Sequence, residues 1–119
     1  MFSALELKSR CDAAADASEE ELAEYEAVSK RYEELALPHM DDQSDLMFSN
    51  HVFCLIRRIG SGEYVDEMPE EFFSELSRPA RDGAYDLLSD LFAAHGEEPN
   101  STEVLMLATH LEVAMQLTK

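Results

Sequence analysis

Six side chains in this 119-residue sequence are suited to proton, metal or group-transfer chemistry: His39, His51, His95 and His110, and the thiols Cys11 and Cys54. A neutral imidazole can ligate a metal, act as a general base or accept a phosphoryl group. Metal binding needs closely spaced ligand pairs. The sequence has no HxxxH, no HxxE followed by histidine and no CxxC, so neither a metal nor a cofactor is expected. Cys54 follows His51 at i, i+3, a spacing that joins a thiol to a base. No third orienting group and no anion-stabilising loop accompany them, so no enzymatic activity is expected.

The elements that carry the histidines separate them. Asp45–Ile59 has a helical apolar face of Phe48, Val52, Leu55, Ile56 and Ile59. At about 100° per residue, His51 falls beside that face, on a stripe with Met47, Cys54 and Arg58. A last helix, opened by Asn100 with Glu103 three residues on, runs to about Leu117 and is apolar on two sides. One stripe is Val104, Leu107, Ala108, Leu111 and Met115; the other is Met106, His110, Val113 and Leu117. Such a helix belongs in the centre of a bundle or in a dimer interface. His95, just before Gly96, ends a helix whose dipole favours positive charge there, and His39 follows Pro38 at a helix end. For His51 and His110, the alternative to a functional role is a histidine satisfied at the edge of the core.

The remaining elements are also helical. Ser18 and Glu21 have capping-box spacing before a helix with Leu22, Tyr25, Ser29, Tyr32, Leu35 and Ala36 on one face, ended by Pro38. Gly60 and Gly62 end the next helix. A linker, residues 61–68, leads to a short helix with Phe72, Phe73 and Leu76. Pro79 then opens one with Ala84, Leu87, Leu88, Leu91 and Phe92. Residues 1–17 read as a weakly helical N-terminal extension to a domain spanning 18–119.

Composition agrees with an all-α fold, a single bundle of about five helices. Leu (15) and Ala (14) dominate, whereas Val, Ile and Thr total 10 and Gly plus Pro total 8. No glycine loop is present for a nucleotide-binding βαβ unit. With 26 acids against 9 Lys plus Arg, the net charge is −17. That balance disfavours direct binding to nucleic acid or to an anionic membrane and favours a basic protein partner. Two cysteines make no secreted disulfide framework, and there is neither a signal peptide nor an apolar run of membrane-spanning length. A cytoplasmic location is expected.

Two segments carry a family resemblance. Ser49–Arg58, SNHVFCLIRR, resembles the first signature of the phosphotransferase-system regulation domain (PRD), in which a histidine opens an apolar helical stretch and an arginine follows seven residues later. Glu103–Leu111, EVLMLATHL, resembles the second, in which an acid opens an apolar helix and a histidine lies two turns in. The two histidines are 59 residues apart (110 minus 51), similar to the interval in that family. The resemblance covers roughly Leu22 to Leu117 and is nearest to small standalone members, since no effector module accompanies it. It implies that His51 and His110 share one site and accept phosphate; an acceptor needs a nearby cation to hold the phosphoryl group, and Arg58, or Arg57 beside it, is expected to supply it as the anion partner. It further implies a histidine-containing phosphocarrier protein or sugar-permease component as donor, a homodimer, and a role in regulating transcription of carbohydrate metabolism. Since Arg58 lies on a boundary stripe, it is expected to be dispensable for folding. The alternative is an acidic helical adaptor that binds a protein partner without phosphorylation.

Overall fold

The computed structural model describes residues 1–117; Thr118 and Lys119, the last two positions of the expected 18–119 domain, lie outside the described residues. The described chain is all-α, with five α-helices and no strand: α1 (Ala4–Arg10), α2 (Glu19–Glu34), α3 (Asp42–Ser61), α4 (Arg78–Ala94) and α5 (Ser101–Leu117). Short 3-10 turns at Asp12–Ala14 and Glu70–Phe73 join them.

Local chemistry sets the helix ends. Ser18 and Glu21 close the expected capping box on α2. α3 starts three residues earlier than its apolar pattern does, because the Asp41 carboxylate accepts the Ser44 N–H at 2.8 Å and so caps the helix at Asp42. It runs through Gly60 and stops at Gly62, whose φ of 74° is the left-handed turn that glycine adopts without cost. α2 stops at Glu34, ahead of Pro38; Ala36 makes the left-handed turn at φ 52°, and the Pro38 carbonyl accepts the Tyr32 hydroxyl. The segment around Phe72 and Phe73 is a single 3-10 turn rather than an α-helix, burying Phe73 and leaving Phe72 exposed.

The apolar faces of α3 and α4 and the first stripe of α5 converge on one core, whereas the second α5 stripe of Met106, His110, Val113 and Leu117 stays outside it. Phe48, Val52, Leu55, Ile56 and Ile59 of α3 are buried, as are Ala84, Leu87, Leu88, Leu91 and Phe92 of α4 and Val104, Leu107, Ala108 and Leu111 of α5. The N-terminal seventeen residues join the same core: Leu7, Cys11 and Ala14 are buried in it. Their attachment is polar as well. The Phe2 N–H donates to Ser49 Oγ at 3.2 Å, and the Phe2 carbonyl accepts the Tyr25 hydroxyl at 2.6 Å. No helix among the described residues is long and apolar enough to cross a membrane.

Candidate functional site

α3 carries a different set of groups on each side of its core-facing stripe. Ser49, Phe53 and Arg57, spaced four apart, turn toward the N-terminal segment and the start of α2. Arg57 lies over the Phe53 ring at 4.6 Å and donates to Glu21 at 3.0 Å and Asp16 at 2.8 Å. Those two acids raise its affinity for the proton; Arg57 in turn holds the Asp16 carboxyl below its ordinary range, and the Ser18 backbone N–H, followed by Arg57, does the same for Glu21.

The other side meets α5. The His51 and His110 rings stand edge to face with centroids 5.5 Å apart, and His110 packs 5.9 Å from Phe48. Both histidines are half-buried. They share an open cavity of about 400 Å³ lined by Met47, Asn50, Cys54, Arg58, Val65 and Met106. The structure therefore joins the two sequence-predicted histidines, and it puts Arg58 on their cavity and Arg57 on the other side of α3.

Burial lowers the pKa of both histidines, since a half-buried imidazolium loses hydration. For His51 the neighbouring His110 and then Arg58 lower it further, and the Glu103 carboxylate raises it by less. Both rings are consequently neutral at pH 7, with an unprotonated nitrogen carrying a lone pair. His95 differs: it sits at the end of α4 with Nε2 2.7 Å from Glu24 Oε1, a histidine–carboxylate pair on the surface. His39 is exposed.

Arg58 is not a free cation. Its Nε donates to Glu103 Oε2 at 2.7 Å and its Nη2 to Glu103 Oε1 at 2.8 Å, a bidentate fork onto a carboxylate that is 0% exposed. This corrects the expectation that Arg58 is dispensable for folding, because its loss strands a buried charge. Glu103 also accepts the Val65 N–H at 3.3 Å. The helix-capping role expected for this region is carried by the Asn100 side chain alone, which accepts the Glu103 N–H at 3.1 Å; the Glu103 carboxylate is spent on Arg58. Sequence reasoning missed that partnership. The available signal was an acid heading the buried α5 stripe and an arginine closing an apolar helix, opposite charges that each lack a local partner.

Beyond His110, the outer side of α5 stays uncovered. Val113 is 54% and Leu117 73% exposed, with Met47 of α3 at 57%. They edge a second open cavity, about 470 Å³, whose lining includes one carboxylate, Asp41, in a chain of 26 acids.

Among the described residues no cluster of three or more His, Cys, Asp or Glu side chains is arranged to hold a metal ion. Compared with family models, curated proteins and solved structures, the chain shows no match.

Proposed function

We propose that this chain is a PRD-like regulatory domain, phosphorylated on His51 and secondarily on His110, acting in control of carbohydrate metabolism through a partner protein. The observation that carries the reading is the pair of imidazoles from α3 and α5 facing one cavity beside an arginine. The unprotonated nitrogen of His51 forms a new P–N bond as the donor's P–N bond breaks, and the donor imidazole leaves with that electron pair. The donor of this reading is a histidine-containing phosphocarrier or a sugar-permease component, with transfer in the cytoplasm. Arg58, which lines the same cavity, is the cation that meets the incoming anion. His110, between Phe48 and His51, is the less open acceptor.

The reading includes a homodimer. A charge-poor apolar face of Met47, Val113 and Leu117 is what two strongly acidic copies need in order to touch without bringing their carboxylates together. Sedimentation at micromolar concentration should give twice the 13.4 kDa chain mass; a clean monomer removes the dimer from the proposal.

Incubation with phosphoenolpyruvate, the general phosphotransferase enzyme and the phosphocarrier tests the acceptor role. The expected product is an acid-labile, base-stable phosphate, mostly abolished by His51→Ala and partly retained by His110→Ala. A wild-type chain that takes no label from any donor defeats the proposal and leaves the adaptor reading.

A further inference from the structure

The linker between α3 and the 3-10 turn, residues 62–69, is fastened to the start of α5 and the loop before it. Tyr64 donates its hydroxyl to Glu97, the Val65 N–H donates to Glu103 at 3.3 Å, and the Met68 N–H donates to Thr102 Oγ1 at 3.3 Å. Two of these three attachments are long for N–H···O bonds. The linker itself exposes Glu63, Asp66 and Glu67 and carries no base. An acidic strap therefore lies against a buried carboxylate, and the cation that makes this tolerable is Arg58.

Arg58 is also the only cation among the residues lining the His51–His110 cavity. A phosphoryl group on His51 brings about −1.5 to −2 charges into that cavity. The planar guanidinium fork suits a phosphoryl dianion as well as it suits a carboxylate. We infer that Arg58 is shared between two anions in succession: Glu103 while His51 is unmodified, and the phosphoryl group once His51 carries one, with release of the 62–69 strap as the consequence. This inference deepens the proposed function and rests on His51 being the acceptor. Once Arg58 turns away, Glu103 is a fully buried carboxylate without its cation, which must regain water. Water enters where the enclosing contacts are weakest, at the long Val65 and Met68 bonds, on a segment that the added charge already repels. The device converts a modification on α3 into exposure of backbone at the far end of the cavity.

Amide hydrogen exchange on the full chain tests this without any donor protein. His51→Glu puts a carboxylate into the cavity; His51→Gln puts in none. Relative to His51→Gln, His51→Glu should speed exchange at Val65 and Met68 at least tenfold while the middle of α5 keeps its protection. Arg58→Gln alone should reproduce the fast strap, and adding His51→Glu to it should change nothing further. Equal strap exchange in His51→Glu and His51→Gln overturns the inference, because Arg58 then meets the new charge without leaving Glu103. A rise of the same size throughout α5 overturns it too, since that is general loosening. If Arg58→Gln does not fold, the comparison of the two His51 variants decides alone. Absence of phosphocarrier labelling with a released strap in His51→Glu would sink the acceptor role and leave the switch standing.

Discussion

Arg57 and Arg58 are adjacent in sequence and do opposite work. Arg57 lies over Phe53 and ties α3 to two carboxylates in contact with solvent, Asp16 and Glu21. Arg58 inserts its fork onto Glu103, which has no exposure at all, and borders the cavity of the paired histidines. Water solvates the acids of the first pair whether or not Arg57 is present. Among the described residues, Arg58 is the cation paired with Glu103. Two adjacent arginines thus differ in what their loss leaves behind, and the side of the helix with the costly pair is the side with the paired histidines.

The largest effect follows directly. Arg58→Ala should destabilise the fold by about 3–5 kcal/mol, because it removes one partner of a buried pair. Replacing both members, as in Arg58→Met with Glu103→Leu, should restore most of that loss. Urea unfolding of the single and double variants measures both; a double variant no better than the single would mean that shape, not stranded charge, sets the cost. On the opposite side the strongest test is Ser49→Ala. Ser49 is fully buried, accepts the Phe2 N–H and donates to Asp45 at 2.9 Å. Its loss leaves the Phe2 donor unpaired, for about 1–3 kcal/mol by the same measurement.

A smaller effect concerns pH. His51 and His110 have lower pKa values folded than unfolded, so between the unfolded value near 6.5 and the lower folded values the unfolded chain binds more protons. Stability from these two groups is therefore full above about pH 6.5 and falls as the solution is acidified through that window. His51→Gln and His110→Gln should each flatten the decline in thermal midpoint between pH 7 and pH 5. A slope identical to wild type in both variants would show that the rings are not held neutral. Smallest of all is Arg57→Ala, expected to shift the urea midpoint by a minor fraction of the Arg58→Ala change, and less still in high salt.

The sequence made the periodic features readable. The capping box at Ser18, the stop at Gly62 and the buried faces of α3, α4 and α5 are local: each depends on residues within a turn or two. Three features were not readable this way. α1 is seven residues long, too short to persist without tertiary contacts, and its buried Leu7 belongs to a pattern broken at Cys11, where the chain leaves the helix. Periodicity alone gives a weak extension there, whereas packing against α2 and α3 completes it. The Arg58–Glu103 pair joins positions 45 residues apart on two helices, and one-dimensional spacing carries no term for how those helices cross. The meeting of His51 with His110 has the same character. It was expected only through the family resemblance, and helical spacing placed each ring on its own stripe without bringing the stripes together.

The charge-poor face around Met47, Val113 and Leu117 sits within a surface of net charge −17, so ionic strength separates two kinds of partner. Copies of this chain repel one another at long range; in the proposed dimer, joined through that face, added salt screens the repulsion within roughly 8–10 Å at physiological strength and should tighten self-association. A basic partner is drawn in by the same field, and added salt should loosen it. Raising sodium chloride across an association measurement should therefore move the proposed self-association and the binding of a basic partner in opposite directions, the first tightening as the electrolyte is concentrated and the second as it is diluted.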